Sequence, residues 1–298
     1  MKMVITGTTG FIGGPLLQTA RAVYGENVTA FSSRPFAGSH IVYQDRTDFC
    51  LTSDDLTLVE EAEVLIHAGA FIPKSGAEAN QVKGCNSNIQ FLEKLLLLPW
   101  HKLKKIVFLS TIDIYTSIDG PITEATLVEP NSLYGLSKLY GERMVGLYAA
   151  ERAISSQVLR IGHVYGPGEE KYVKVIPKSI QNIVAGKDIE LWGEGTELRS
   201  FIYIDDLVTS ILKSVELLDD PGIINVVGGE AIAIRDLIKM LITIGGRGTK
   251  VSQREFSGAT RDFVFDNTKL KHYLLPEESD FADGLRAELA HIESLRGN

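Results

Sequence analysis

Short apolar, β-branched runs recur along the chain and alternate with stretches whose apolar residues repeat at helical spacing. Residues 2–6, 27–31, 41–43, 64–70, 105–111 and 158–161 read as strands. Residues 15–22, 86–98 and 139–150 read as helices, with Pro99 stopping the second, and Ser53, Asp54 and Asp55 open a further helix by capping. Residues 119–130 read as a loop. Alternation of strand and helix predicts an α/β fold built on a doubly wound parallel sheet. The Gly/Pro cluster at 162–168 predicts a boundary between a first domain, 1–165, and a smaller C-terminal domain, 166–298. Beyond it, Lys171, Lys174 and Lys178 are expected on one helix, and 189–192 as a strand. Residues 201–216 form a strand–helix unit expected to return to the first sheet. A strand at 223–227 and helices at 235–241 and 281–295 complete the pattern, without repeats.

Bulk properties narrow the class. The 298 residues, 44% hydrophobic and 23% charged, have the composition of a soluble globular protein. No apolar run approaches the ~20 residues of a membrane span. The first apolar run ends at once in glycines, unlike a signal peptide. Cys50 and Cys85 make no disulfide framework, so a cytoplasmic location is expected. The six histidines show no ligand spacing, so no metal is expected. A net charge of −8 argues against nucleic acid and acidic membranes as partners, and an anionic ligand would need a local cluster of cations.

The first strand runs straight into Gly7-x-x-Gly10-x-x-Gly13 and then a helix. In that context Gly7 can take a tight turn, Gly10 lets backbone approach a pyrophosphate, and Gly13 lets helix lie close to strand. The helix N-terminus then offers free N–H groups to the anion. A plain strand-to-helix turn is the alternative. At the end of the second strand, where a dinucleotide fold often holds the ribose with a carboxylate, stand Ser32 and, two residues on, Arg34. That pair leans toward NADP over NAD, the alternative being an ordinary exposed loop. Ala68, Gly69 and Ala70 end the fourth strand in small side chains that leave room for a flat ligand. His67 reads as a packed histidine.

Tyr134 and Lys138 are four apart, so on a helix they share one face. An ammonium beside a phenol lowers the pKa of the phenol toward the working range of a general acid/base. The pair follows the fifth strand, whose end carries Ser110 and Thr111. A hydroxyl at that strand end could hydrogen-bond the oxygen of a reacting alcohol or ketone.

Together these motifs resemble the extended short-chain dehydrogenase/reductases, and within them the nucleotide-sugar epimerase/dehydratase family. The resemblance runs through Gly7-x-x-Gly10-x-x-Gly13, Ile66-His67-Ala68, Ser110-Thr111-x-x-Ile114-Tyr115, Tyr134-x-x-x-Lys138, Leu159-Arg160 to Gly168, and Arg199 to Asp206. It implies a Rossmann-type domain holding NAD or NADP and a C-terminal domain gripping a nucleotide diphosphate sugar. By this resemblance Thr111, Tyr134 and Lys138 are catalytic. The cofactor meets Gly7, Thr9, Gly10, Phe11, Ile12, Gly13, Ser32, Arg34, Asp48, Phe49, Ala68, Gly69, Ala70, Asn86, Tyr134 and Lys138. Arg199 binds the substrate diphosphate, and Arg261, Asp113 and His163 also face the substrate. The family's 4,6-dehydratases carry an acidic pair directly after the Thr. Here Ile112 stands first and cannot donate a proton, which disfavours dehydration. Two reactions at sugar carbon 4 remain: epimerisation, in which hydride is removed and returned to the other face, and NADPH-dependent reduction of a 4-keto sugar. A non-catalytic dinucleotide-binding regulator and an oxidoreductase of hydrophobic alcohols are the further alternatives, and a homodimer is implied by analogy.

Overall fold

The structure, a computed structural model, describes residues 1–46, 48–116, 120–256, 258 and 261–296. The fold class read from the pattern is present. Strands β1 (Met3–Thr6), β2 (Val28–Ser32), β3 (His40–Val42), β4 (Val64–His67), β5 (Lys105–Thr111) and β6 (Ser155–Ile161) pair in parallel. With β10 (Ile224–Val226, following β7 to β9 below) they make a seven-stranded sheet in the order β10-β6-β5-β4-β1-β2-β3. The chain goes to opposite sides of β1 to make β2 and β4, and the crevice over such a reversal, at the carboxyl ends of the strands, is where open α/β sheets bind ligands.

Helices cover both faces. On one, α1 (Gly13–Tyr24) packs Leu16, Leu17 and Ala20 against Met3, Ile5 and Ile66. On the other, α2 (Ser53–Glu60), α3 (Val82–Leu96) and α4 (Leu133–Arg152) cover a core that includes Val4, Leu65, Phe91, Ile106 and Phe108. Covered on both sides, β1, β2, β4 and β5 are buried along their whole length.

Beyond β6 a smaller unit follows. Strands β7 (His163–Tyr165), β9 (Leu198–Tyr203) and β11 (Ala231–Ala233) form a three-stranded sheet, and β8 (Ile189–Trp192) pairs with β12 (Val251–Arg254). Helices α5 (Val175–Val184), α7 (Ile234–Gly245) and α9 (Phe281–Ser294) bury Ile176, Ile180, Leu237, Leu241 and Leu285 beneath them. Helix α6 (Ile204–Glu216) packs back against α1, while short α8 (Thr268–Tyr273) lies near β10.

Several boundaries differ from the sequence reading. Strand β9 belongs to the three-stranded sheet, so only the helical part of 201–216 returns to the large sheet; β10 fills the edge instead. Lys171, Lys174 and Lys178 do not share a helix. Lys171 ends a short 3-10 turn, Lys174 is extended ahead of α5, and Lys178 lies within it. Helix α2 is capped by Thr52 rather than Ser53, through a capping box with Asp55. Helix α3 starts at Val82, and β4 ends at His67. In the 119–130 loop, Asp119 lies outside the described residues.

Candidate active site

The glycine turn is shaped by contacts that leave no room for side chains. Gly7 has φ +74°, and a Cβ there would lie 2.6 Å from the Gly69 nitrogen. A Cβ on Gly13 would lie 2.1 Å from the Gly7 carbonyl oxygen, so α1 begins pressed against the turn. The Gly10 N–H donates to that same carbonyl at 2.9 Å. Ile12 occupies the N-cap of α1, where no side chain caps the helix and no acidic residue stands in the first turn. The Gly14 N–H donates to the Gly10 carbonyl at 3.0 Å and Pro15 carries no N–H, so it is the N–H groups of Phe11 to Gly13, at the positive end of the helix dipole, that fit a dinucleotide pyrophosphate. Thr9 and Gly10 are exposed at the turn, and Ile12 is half-buried. Phe11 is buried, with Tyr172 at a ring separation of 6.1 Å.

From the neighbouring strand ends, the Thr6 hydroxyl bridges His67 Nδ1 at 2.8 Å and the Gly69 N–H at 3.0 Å. His67 stacks on Phe108 at 5.7 Å, and burial drives its pKa well below the usual 6.5, so it is a packed neutral histidine. Ala68 and Ala70 are half-buried beside it. Ser32 is buried and hydrogen-bonds the backbone of Arg34, whose side chain is exposed. Asp48 is exposed, whereas Phe49 is buried edge-on against Phe31 at 5.0 Å and Phe91 at 5.6 Å. Asn86 is exposed on α3. Asn88, one turn's fraction further, is the buried one: its Oδ1 accepts the Phe71 N–H at 2.6 Å, and its Nδ2 donates to Ser137 Oγ at 3.3 Å.

Thr111 ends β5, and Tyr134 and Lys138 lie in the first two turns of α4, which Ser132 caps. All three are buried. Gly135 brings them together: a Cβ there would lie 2.6 Å from the Asp113 carbonyl oxygen, so α4 starts hard against the turn that follows Thr111. The Asp113 N–H donates to Thr111 Oγ1 at 3.2 Å. Lys138 Nζ stands 4.4 Å from the centre of the Phe108 ring.

The electrostatics correct one expectation. The Tyr134 phenol is raised above its ordinary value, not lowered: burial acts first, the Asp113 carboxylate adds to it, and the Thr111 hydroxyl opposes both. Lys138 is itself pushed down to about 7 by burial, against which Glu142 acts. Asp113 is raised by burial, opposed by Arg261, the Thr111 hydroxyl and Lys174.

Of the residues expected to face substrate, His163 and Arg199 line a cleft of about 380 Å³ with Glu169, Lys174, Glu190, Trp192 and Glu197, whereas Arg261 and Asp113 are not part of its lining. Arg199 donates to the Arg261 carbonyl at 2.6 Å, and both guanidiniums face the Phe263 ring, at 5.4 and 4.1 Å. Burial lowers both arginine pKa values. His163 is pushed down to about 3, by burial first and then by Lys174, Arg199 and Arg261. It is therefore neutral, with Lys174, Arg199 and Arg261 gathered around it as the groups that could meet an anionic ligand, although Glu169, Glu190 and Glu197 also line the cleft. Sequence reasoning missed Asn88, Ser137 and Glu142; the signal was their spacing on the helices that carry or flank the Tyr134–Lys138 pair.

A glycine turn at the sheet reversal and a buried Thr–Tyr–Lys set accord with an NAD(P)-dependent enzyme of the extended short-chain dehydrogenase/reductase type. The chain belongs to the NAD dependent epimerase/dehydratase family, whose model matches residues 3–227. It is 28% identical to the uncharacterized UDP-glucose epimerase YtcB of Bacillus subtilis, over 99% of each chain. It is 26% identical to a dTDP-glucose 4,6-dehydratase of Streptomyces griseus, over 99% of this chain and 94% of that one. Among solved structures it resembles UDP-glucuronic acid 4-epimerase from Bacillus cereus in complex with NAD, with a TM-score of 0.85 and 26% identity, covering 100% of this chain and 98% of that one.

Proposed function

We propose that the protein is a nucleotide-sugar 4-epimerase, and the observation that carries this reading is the buried Asp113, which interacts with Thr111 and Tyr134 and also with Arg261 and Lys174, and so links the reacting groups to the cations beside the cleft that Arg199 lines. The glycine turn and the N-terminus of α1 would hold the dinucleotide pyrophosphate, with Ala68, Gly69 and Ala70 beside it. Bound NAD supplies a reversible hydride acceptor for sugar carbon 4. The side chains of this chain then do the proton chemistry. Tyr134 exchanges the proton of the 4-hydroxyl, Thr111 orients that oxygen, and a charged Lys138 favours the phenolate when Tyr134 gives up its proton. Arg199 and Arg261, with Lys174 nearby, hold the diphosphate of the substrate, and neutral His163 serves as a hydrogen-bonding wall. Ile112 beside Thr111 offers no acid for elimination of water, which supports epimerisation over dehydration.

A second reading, NADPH-dependent reduction of a nucleotide-linked 4-keto sugar, is favoured by the end of β2. Ser32, Ser33 and Arg34 stand there with no carboxylate to repel a 2′-phosphate, and Arg34 is exposed. The proposed homodimer would use α3 and α4, where Val82, Leu97, Leu136, Tyr140 and Leu147 are exposed. Sedimentation at several concentrations reads that state directly.

Denaturing the purified protein and identifying the released dinucleotide tests the main reading. Retained NAD, with interconversion of UDP-hexose epimers followed by NMR, is the expected result. Protein released empty that consumes NADPH with a 4-keto sugar would overturn it in favour of the reductase.

A further inference from the structure

Beneath the reacting groups lies a buried ion pair that the proposed reaction does not touch. Glu142 on α4 is gripped by the fork of Arg160 on β6, from Nε to Oε1 at 3.1 Å and from Nη2 to Oε2 at 2.9 Å. The Ser110 hydroxyl, at the end of β5, donates to Glu142 Oε1 at 2.5 Å. The remaining arm of Arg160 reaches the Tyr115 hydroxyl at 2.6 Å, and that hydroxyl donates to Asn225 Oδ1 at 2.8 Å on β10. The side chains of Arg160 and Glu142 are only 4% and 5% exposed. A pair this deep brings little net stability, because the desolvation of two ions consumes most of their attraction.

Its placement has a different consequence. Ser110 immediately precedes Thr111, and successive residues of a strand face opposite sides. The carboxylate thus holds the strand end from the side away from the Thr111 hydroxyl. Glu142 also follows Lys138 by four residues on α4, so the two share a helix face. We propose that Glu142, locked by Arg160, is a positioning residue that ties Thr111 and Lys138 to one buried carboxylate and so holds the reacting oxygen and the ammonium in register with Tyr134. This rests on the epimerase reading of the site.

The charges around Lys138 support it. Burial drives its pKa down to about 7, and Glu142 is the carboxylate that acts against burial. The other titratable groups facing this region are Tyr134 on α4, His67 on β4, Cys85 on α3, Tyr115 after β5 and Arg160 on β6. Burial keeps His67 neutral and raises Tyr134, Cys85 and Tyr115, while Glu142 and Tyr115 outweigh burial and raise Arg160. Asp113 acts on Tyr134, not on Lys138. Near neutral pH the charge of Lys138 therefore answers chiefly to Glu142. Without that carboxylate, Arg160 would also stand unpaired and push in the same direction.

The test uses the full chain with lysine labelled at 13Cε and the Lys138 resonance assigned through Lys138→Met. Its titration midpoint is expected to fall by about one unit in Glu142→Gln, and to recover in part in Glu142→Asp. Glu142→Leu with Arg160→Met removes both charges together, a change that often preserves stability. In that folded double variant kcat is expected to fall more than about tenfold with KM little changed. A Lys138 midpoint that stays at its wild-type value in Glu142→Gln overturns the proposal; should that variant not fold, the kcat of the double variant decides. So does full kcat in the double variant. If the wild type turned over no nucleotide sugar, the epimerase reading would fail while the Lys138 midpoint still judged Glu142.

Discussion

Tyr134 is a buried phenol whose surroundings resist ionisation, so its work as a base depends on what stands next to it. Removing the hydroxyl alone, in Tyr134→Phe, is expected to lower kcat by about 10²–10⁴-fold with dinucleotide still retained. Near-normal turnover would sink the assigned role. His163 shows the opposite logic. Its folded pKa, about 3, lies below the ordinary 6.5, so the unfolded chain binds the proton more readily between those values. Stability is then lost as pH falls from about 6.5 toward 3. Replacement by Asn is expected to flatten that acid decline in thermal melts, and an unchanged decline would show that His163 does not contribute. At this scale residue types were legible wherever a motif tied them to an element, as for Tyr134 and Lys138. Asn86 and Asn88 were not separable, because only the turn of α3 against Phe71 and Ser137 decides which asparagine is inside.

Helix α1 depends on its first residue. With a Cβ at Gly13 placed 2.1 Å from the Gly7 carbonyl oxygen, α1 must move away from the turn or the turn must open. Gly13→Ala is expected to destabilise the protein by about 1–3 kcal/mol, as overpacking does, and to release the dinucleotide. A variant that melts and binds like the wild type would refute the close-approach argument. Strands 105–111 and 189–192 were read with the bounds they have, the first because it is buried along its length, the second because Ile189 and Leu191 alternate with the exposed Glu190 and Trp192. Helix starts were harder. Helix α3 begins at Val82 with no side-chain cap, so local chemistry marks its start weakly. The lysines 171, 174 and 178 have helical spacing in sequence, yet Tyr172 and Lys174 are extended.

Across the whole molecule, the C-terminal helix is joined to the site by buried acid. Glu288 on α9 accepts the Gly166 N–H at 2.9 Å, and Glu169 accepts Lys174 at 3.0 Å. Burial raises both carboxyl groups well above the ordinary glutamate value of 4.5; Glu169 adds to the rise of Glu288, while Lys174 opposes that of Glu169. The folded protein then holds more protons than the unfolded chain above that pH, so stability falls as pH rises. Glu288→Gln keeps an acceptor for Gly166 and is expected to flatten the fall in melting temperature between about pH 4.5 and about pH 9. An equal slope in both proteins would remove the pair from the account.

The sequence by itself determined the parallel α/β layers, the glycine turn and the Thr–Tyr–Lys set, because each depends on residues close in the chain or on strict periodicity. Tertiary structure alone decided that β9 leaves the large sheet and that β10 takes its edge, since pairing partners distant in sequence have no local signature. It also decided the direction of the pKa of Tyr134. Spacing announced the ammonium four residues away, but only the folded core revealed how deeply the phenol is buried and how close Asp113 stands.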